Sequence, residues 1–480
     1  MLTLPLSALV AWAINSGGEA LRWVGLGAVA WSLAIPMLVS LEAGLFAMML
    51  FEPLRGFLRR AQYLFLPYSQ SDPIHVITPL ITCMAFVLLL QRRRLGMFTQ
   101  TKQAKLVSIL CLIYFLQIFN PLQGGLSIGL TGALFILVPV AWFYFGQEIK
   151  PEFIHTLLRA IVIIGLITSV YGLYHLVYGF PSFEQYWLDH TDAYESISLG
   201  RIKRALATFS SAEEWGRYLE VGAIIAFGLV GGAAGYLKKA GWFLSGAALT
   251  AMLMLTGQRT ALFGLVLGIV VLLVAGAKTW QGVLVRLMLT LAPVILVVVL
   301  VNAPTTDDMI SLSEEERFGI VLSHTTRGAL NPTQEGSLQE RITIWTYLAT
   351  EIIPNNPLGM GLGATSLLAA RHEGSDALPP TDSYVIGSVI TCGLPTALLF
   401  IWILLRSSWV SWRSVGRETN GTVDGNVWRI LAALMPALIL NSFFGNTFTL
   451  YSVAPIGWLL VGWISAQELS RSKTREPFYL

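Results

Sequence analysis

Charged residues are scarce in this chain: only 12% of its 480 residues are Asp, Glu, Lys or Arg, whereas 55% are hydrophobic. Because a soluble domain carries about 25% charged residues, the composition excludes an ordinary soluble protein. The formal net charge of +3 provides neither a basic field for nucleic acid nor an acidic field for a cationic partner. The sequence therefore predicts an integral membrane protein whose partners include the lipid bilayer and no nucleic acid.

Cysteine is also rare, and no internal repeat or low-complexity tract is visible. Cys83, Cys111 and Cys392 lie within or beside apolar segments, so disulfides are not expected. No cysteine and histidine spacing resembles a zinc motif, and no metal or other cofactor is predicted. Four histidines are scattered singly and are interpreted as surface residues: His155, His190, His324 and His372.

Long apolar runs dominate the chain, and a membrane helix needs about 17–25 such residues. The first fifty residues add two or three spans, of which MLTLPLSALVAWAINS lacks the basic start of a signal peptide and is interpreted as a first membrane helix. We predict an all-α, polytopic membrane protein with about 12–14 transmembrane helices and one large, partly helical external loop. The clear spans are Ile74–Leu90, Leu106–Phe119, Leu126–Phe145, Ile154–Val177, Val221–Tyr236, Gly241–Leu255, Ala261–Ala275, Leu284–Val301, Ser383–Leu405, Ile430–Leu440 and Ser452–Ile464.

Basic residues in short loops indicate which ends of the helices are cytoplasmic. Counting spans between the basic clusters places residues 178–220, the turn Gly257–Thr260 and residues 302–382 on the opposite, external face. The predicted organisation is a transmembrane bundle over 1–301 with the external loop 178–220, a large loop over 302–382, and C-terminal helices with a cytoplasmic tail over 383–480. The basic clusters are Arg92–Arg94 with Lys102, Lys238–Lys239, Lys278 with Arg286, Arg406 with Arg413 and Arg417, and Arg471 with Lys473 and Arg475.

One group of arginines conflicts with this count. Arg55, Arg59 and Arg60 would also fall on the external side. Two explanations remain open at this point: an interfacial amphipathic helix over this segment, or an error of one span within the first seventy residues.

The long polar segment 302–382 is the most unusual part of the chain, because loops beyond about 15 residues are usually functional or disordered. Helical periodicity resumes within it, with Ile342, Trp345 and Leu348 on one face. Its PLGMGLG run (Pro357–Gly363) follows a helical pattern instead of a strand, which argues against nucleotide binding. We expect these glycines to allow a tight turn that returns the loop to the membrane.

Arginines in the external segments are the strongest candidates for a site, because a charge at a membrane boundary is costly unless it is paired or solvated. Arg259 lies in the short break between two apolar runs, where it either extends into water or binds an anion through its planar fork. The same two interpretations, solvated charge or anion ligand, apply to Arg201, Arg204, Arg217 and Arg341. Several guanidinium groups on one face indicate a ligand with two negative charges at headgroup level.

Acidic residues at the same boundary are candidate proton acceptors. Asp382 lies in TDSYV, where the long loop enters a helix, so it is either a helix N-cap or a carboxylate that orients an acceptor hydroxyl. Glu213 and Glu214 are alternatives, although both also suit the first turn of a helix. Glu340 and Tyr384 complete the secondary candidates.

Four segments in order resemble the O-antigen ligase and O-antigen polymerase superfamily. They are GFPSFEQYWLD with RIKRALATFSSAEEWGRYL, then TGQRTALFGLVLGIV, then QERITIWTYLATEIIPNNPLGMGLG, and TDSYVIGSVITCGLPTALLF. The resemblance extends over roughly half of the chain. It implies a GT-C-like, metal-independent glycosyltransferase in the bacterial inner membrane, with a periplasmic site and a glycan donor carried on undecaprenyl diphosphate.

The resemblance also implies roles for individual residues. Arg259 matches the arginine of the family's second motif, Arg204 the arginine before its ATF segment, and Arg341 the arginine before its Ile-Trp pair. Where ligases typically carry a His-Asn pair, this chain has Thr381 and Asp382. This departure favours a polymerase, acting on a sugar acceptor with other polysaccharide assembly proteins as possible partners, over a ligase.

Two other classes of protein remain alternatives. A lipid-linked sugar flippase or anion transporter would carry its charges near the membrane midplane, whereas here they gather at one surface. A structural assembly protein without activity predicts that Arg204, Arg259 and Arg341 do not converge.

Overall fold

The computed structural model of this protein describes residues 18–69, 72–93, 96, 98–191, 198–199, 202–275, 281–282, 336–366, 378, 381–415 and 425–473. Two short antiparallel strands, β1 (Ser198–Leu199) and β2 (Ile202–Lys203), form a hairpin. All other regular elements in these ranges are helical, with single 3₁₀ turns at Gln62–Leu64, Pro121–Gln123 and Val138–Val140. The helices are α1 (Gly18–Val39), α2 (Leu41–Ala61), α3 (Ile74–Arg93), α4 (Lys102–Gln117), α5 (Leu126–Ile136), α6 (Ala141–Gly146), α7 (Pro151–Tyr178), α8 (Ser182–His190), α9 (Ala212–Gly232), α10 (Tyr236–Leu255), α11 (Arg259–Ala275), α12 (Gly336–Tyr347), α13 (Tyr384–Cys392), α14 (Leu394–Val415), α15 (Gly425–Phe444) and α16 (Ala454–Lys473).

Six stretches of the described residues are long and apolar enough to cross a membrane, and α11 is apolar but shorter. The all-α, polytopic membrane fold is therefore confirmed. The predicted span Leu284–Val301 lies outside the described residues, and the total of about 12–14 helices stays a prediction. The six stretches are Ala20–Val39, Ile74–Arg92, Leu126–Gly146, Pro151–Tyr178, Leu394–Val415 and Gly425–Phe444.

The predicted span Ser383–Leu405 is wrong as a single helix. The chain forms two helices, α13 and α14, which meet at Gly393. Gly393 has a φ of 84°, a left-handed conformation that glycine adopts without steric cost. Pro395 follows in the first turn of α14, where the missing N–H of proline is tolerated. Periodicity alone cannot detect this break, because both helices are apolar.

Helix α9 is the centre of the bundle and packs against α7, α10, α11 and α15. It is buried on nearly every side over its first fifteen residues, as expected for a helix enclosed by other helices. This enclosed stretch also carries charged side chains: Glu213, Glu214, Arg217 and Glu220. Since a buried charge needs partners, the neighbours of α9 must provide them.

Helix α2 packs directly on the loop 178–220, which the sequence predicts to be external, and this contact accounts for the conflicting arginines. Arg60 donates hydrogen bonds to the carbonyls of Ala207 and Phe209, so this end of α2 lies on the same side as that loop. The interfacial-helix explanation is nevertheless wrong for Arg55 and Arg60, which are 5% and 0% exposed. Both are buried because carboxylates on other elements pair with them.

At the opposite end of the bundle, Arg406, Glu468 and Gln103 form a hydrogen-bonded cluster, called here the clasp. Arg406 donates two hydrogen bonds to the Glu468 carboxylate at 2.7 and 2.8 Å and one to Gln103. The clasp joins α4, α14 and α16 at the end where the sequence predicts basic cytoplasmic loops. Three of the predicted loops, near residues 102, 406 and 471, therefore lie on one side of the bundle.

Within the long polar segment, the described residues form α12, a π-helical turn at Leu348–Ile352 and one further turn at Ile353–Asn355. The predicted helix is confirmed. Its predicted apolar face is only partly buried: Leu348 is fully buried, whereas Ile342 is 53% exposed. The rest of this segment, apart from residues 336–366, 378 and 381–382, lies outside the described residues.

The glycine run forms the tight turn that the sequence predicts. Gly359 and Gly361 have φ angles of 89° and 109°, which side chains other than glycine rarely adopt. The turn is held by backbone bonds from Met360 to Ile390 and from Gly361 to Thr391, at 2.8 and 3.0 Å. The segment that follows α12 is thereby bound to α13, the helix that comes after the long segment.

Candidate functional site

The start of α9 contains two acidic residues with different surroundings. Ser211 caps the helix by accepting a hydrogen bond from the Glu214 N–H at 3.0 Å, and the Glu214 carboxylate accepts one from the Ser210 N–H at 3.2 Å. Glu214 also pairs with Arg55 at 3.4 Å and is buried. These contacts assign Glu214 to local structure, as its position in the first turn predicts. Glu213 stays 33% exposed and faces the neighbouring arginines.

Arg259 is the first residue of α11 and follows a three-residue turn after α10. Gly257 makes this turn possible, because its φ is 72°. A positive charge at a helix N-terminus opposes the helix dipole and costs about 0.3–1 kcal/mol. The fold accepts this unfavourable position, which supports a functional interpretation over simple solvation.

Arg204 lies in the segment between β2 and α9, close to Arg259. Burial lowers the pKa of Arg204, the charge of Arg259 lowers it further, and only Glu213 acts in the opposite direction. The Arg204 Nε atom is buried and has no hydrogen-bond partner among the described residues. Two guanidinium groups therefore repel each other beside one partly exposed carboxylate, an arrangement that an anionic ligand would stabilise.

Arg217, one turn into α9, is 1% exposed, and its terminal nitrogens are engaged by protein groups. It donates hydrogen bonds to Asn441, to Thr260 at 2.7 Å and to the Phe444 carbonyl. Thr260 is the residue after Arg259, so Arg217 joins the starts of α9 and α11 to the end of α15. Its burial favours a role in positioning Arg259 over the direct substrate contact predicted from the sequence.

Asn441 and Glu220 form a buried network beneath Arg217 that sequence reasoning missed. The Asn441 amide donates to both oxygens of the Glu220 carboxylate, at 2.6 and 2.5 Å, and its oxygen accepts from Arg217. Both residues are 1% exposed. Glu220 had a signal in the sequence, since it is an acidic residue inside an apolar run. Asn441 had none, because α15 is distant along the chain.

Arg341, in the middle of the long segment, and Asp382, at its end, form an ion pair. Arg341 donates to the Asp382 carboxylate at 3.0 Å, and their side chains are 31% and 56% exposed. Asp382 is not the cap of α13. Ser383 caps that helix by accepting from the Ile386 N–H at 3.2 Å, which removes capping as the explanation for an aspartate at this position.

Residues 441–446, the end of α15 and the two residues after it, contact several of these elements. The Tyr384 N–H donates to the Gly445 carbonyl at 3.1 Å, and a side chain on Gly445 would collide with Arg217 and Glu213. On α12 the Trp345 ring lies 6.2 Å from that of Phe444, one turn after Arg341. Arg217 therefore contacts the end of α15 directly, and Arg341 lies one turn before the tryptophan that packs on it. Arg259 begins the helix that Arg217 joins to the same place through Thr260.

The remaining candidates fall into two groups. Tyr384 is buried, with its hydroxyl 3.1 Å from that of Tyr114, so it belongs to the packing of α13. Arg201 and the side chain of Glu340 lie outside the described residues.

Comparison with known families gives a match in the second half of the chain. Residues 244–401 match the family described as O-antigen ligase, a segment that contains Arg259, Arg341 and Asp382. The comparison with curated proteins gave no match. The family implies a membrane enzyme of the glycosyl-transfer kind, and a lipid-linked glycan substrate is consistent with it. Over residues 244–401, about a third of the chain, the match supports the resemblance to the O-antigen ligase and polymerase superfamily.

Proposed function

We propose that this protein polymerises oligosaccharide units carried on undecaprenyl diphosphate, at the periplasmic face of the inner membrane. The observation that carries the proposal is the closeness of two guanidinium groups, Arg204 and Arg259, next to the partly exposed Glu213. A lipid diphosphate has two adjacent charged groups, and it would neutralise both guanidinium groups at headgroup level.

Glycosyl transfer from such a donor releases the lipid diphosphate. An acceptor hydroxyl oxygen forms a bond to the anomeric carbon, while the bond from that carbon to the diphosphate oxygen breaks and its electron pair leaves with the diphosphate. Attack opposite the leaving group inverts the anomeric carbon. Arg204 and Arg259 stabilise the negative charge that develops on the diphosphate, and Arg341 is a third candidate for this role.

Asp382 is the proposed acceptor of the hydroxyl proton. Its carboxylate is 56% exposed, and its ion pair with Arg341 is also open to solvent. A donor diphosphate that engages Arg341 would release Asp382 to bind the acceptor hydroxyl, so donor binding would precede proton transfer. Since arginines supply the positive charge in this mechanism, activity is expected to persist in EDTA.

Ligase activity is the second candidate function, because the matched family is described as O-antigen ligase. Thr381 and Asp382, at the position where ligases typically carry His-Asn, support the polymerase. Deletion of the gene, followed by analysis of surface polysaccharide, separates the two. Loss of long chains with single repeat units persisting indicates a polymerase, whereas polymer accumulating on its lipid carrier indicates a ligase.

The arginine assignment is tested by complementing the deletion strain with R259K, R204K and, as a matched control, R413K. Arg413 is an exposed arginine that stacks over Trp409 at 4.4 Å on α14. Lysine keeps the charge but loses the planar fork, so R259K and R204K should fail to restore long chains while R413K restores them. Normal chain length from R259K would remove Arg259 from the site.

A further inference from the structure

A strained turn connects Arg204 to α9. Ala207 has a φ of 48°, in the left-handed region that residues other than glycine rarely occupy. Such residues persist only where the surrounding structure holds them, and they cluster at functional sites. Ala207 lies three residues after Arg204, so its backbone conformation sets the direction in which the chain approaches the arginine pair.

Arg60 on α2 holds this turn. Two of its nitrogens donate to the carbonyls of Ala207 and Phe209, both at 2.5 Å. Its Nε donates to the Glu184 carboxylate at 2.7 Å, and the other oxygen of Glu184 lies 2.7 Å from His175 Nε2. Arg60 and Glu184 are both 0% exposed. The planar guanidinium can reach both carbonyls and the carboxylate at once, which a lysine ammonium on its flexible stem does not reproduce.

Helix α2 also fits the turn through its backbone. The Phe57 N–H donates to the Thr208 carbonyl at 2.7 Å, and the Thr208 hydroxyl donates to the Pro53 carbonyl at 2.5 Å. A side chain on Gly56 would collide with the backbone of Phe209. The turn is therefore in direct contact with α2, and Arg60, near the end of that helix, adds two further hydrogen bonds to it.

We propose that Arg60 is a positioning residue for the diphosphate site: it fixes the strained turn at Ala207 and thereby sets Arg204 beside Arg259. Glu184 balances the charge of Arg60, because a buried guanidinium without a paired carboxylate would be costly. This inference rests on the proposed function, in which Arg204 binds the diphosphate. The competing explanation is that Arg60 serves only to attach α8 to α2.

The test measures binding of undecaprenyl diphosphate to the full-length protein in lipid nanodiscs, together with its apparent Tm. R60K is expected to weaken binding about tenfold or more, because small displacements of a binding group carry costs of this order. The double variant R60K/A207G should recover most of the lost affinity, since glycine adopts a positive φ without a clamp. If Arg60 serves only to attach α8 to α2, A207G should not recover the lost affinity, because glycine at position 207 does not replace the bond between Arg60 and Glu184.

A second pair of variants leaves Arg60 intact, so it remains informative if R60K does not fold. A207G should bind with wild-type affinity, whereas A207V should bind about tenfold more weakly, because a β-branched residue resists a positive φ. Wild-type affinity in R60K and in A207V, or failure of A207G to rescue R60K, would overturn the positioning role. R204K is measured beside them to test the proposed function itself. Wild-type binding by R204K would overturn the proposed function. Weak binding by R204K together with wild-type binding by R60K would overturn only the positioning role of Arg60.

Discussion

Asn441 is predicted to be the residue on which the buried network beneath the site depends. Its amide links a carboxylate, Glu220, to a guanidinium, Arg217, at a depth where neither charge meets solvent. The substitution Asn441→Ala removes both links at once. It leaves the Glu220 carboxylate without the donor of its two hydrogen bonds and one Arg217 nitrogen without its acceptor.

The size of the effect follows from these contacts. Hydrogen bonds to charged groups contribute about 1.5–3 kcal/mol each, so two such links give about 3–6 kcal/mol, close to the 3–5 kcal/mol typical of a disrupted buried ion pair. For 480 residues, an unfolding entropy of about 2 cal/mol/K per residue gives about 1 kcal/mol/K for the chain. The apparent Tm should therefore fall by about 3–6 °C.

The assay is thermal unfolding of the purified protein in detergent, followed by tryptophan fluorescence at one scan rate. Asn355→Ala is the matched control, since Asn355 is exposed and donates only to the Glu351 carbonyl at 2.7 Å. Its substitution should change stability by less than about 0.5 kcal/mol. Glu220→Gln keeps an acceptor for Asn441 without the charge, so N441A should be less harmful in the E220Q background. An unchanged Tm for N441A, or the same loss in both backgrounds, would refute the proposed coupling.

Three further predictions follow from single contacts. Gly264→Ala should lower the apparent Tm, because a side chain there collides with the Glu220 carboxylate, whereas Gly241→Ala should not, because its surroundings are open. Burial raises the pKa of Glu184, but its partners outweigh burial and lower the pKa below the ordinary 4.5. The stability that this carboxyl contributes is therefore present above pH 4.5 and is lost as the pH falls through the lower folded pKa. Glu184→Gln should flatten the acid limb of a Tm-against-pH curve. Asp382→Asn should reduce turnover about a hundredfold or more without raising donor KM, because it also frees Arg341 for the diphosphate.

Each of these predictions has a result that contradicts it. Equal Tm values for G264A and G241A would show that the Glu220 carboxylate can move aside without loss. An acid limb in E184Q identical to that of the wild type would mean that Glu184 does not titrate differently on folding. Wild-type turnover in D382N would exclude Asp382 as the proton acceptor and leave Glu213 as the carboxylate to test.

Much of the fold class was predictable, because the chain's apolar runs are long and its charged residues are confined to their ends. The same periodicity missed the break at Gly393, since two apolar helices in series look like one. It also missed the burial of Arg55 and Arg60, each of which pairs with a carboxylate more than a hundred residues away along the chain. Local pattern predicts which residues are unusual, but the partners that make a buried charge tolerable come from tertiary structure.

In the candidate site, too, local pattern identified the unusual residues but not their partners. Arg204, Arg259 and Asp382 were identifiable because each is a charge near the edge of an apolar span, and Arg341 because it lies in a helical pattern within the long polar segment. Arg217 was identified by the same rule, although the structure gives it a positioning role, since burial cannot be read from one helix alone. Asn441 had no signal in the sequence, because a neutral amide in an apolar helix becomes informative only when the neighbouring helix supplies Glu220 and Arg217.

The central claim is that Arg204 and Arg259 together bind the diphosphate of the lipid carrier. The most direct measurement is equilibrium binding of undecaprenyl diphosphate and undecaprenyl monophosphate to the wild-type protein, R204Q/R259Q and the control R413Q. We predict that the wild type and R413Q bind the diphosphate at least about tenfold more tightly than the monophosphate, a difference of about 1.4 kcal/mol, and that R204Q/R259Q loses this preference. An unchanged preference in R204Q/R259Q would contradict the account.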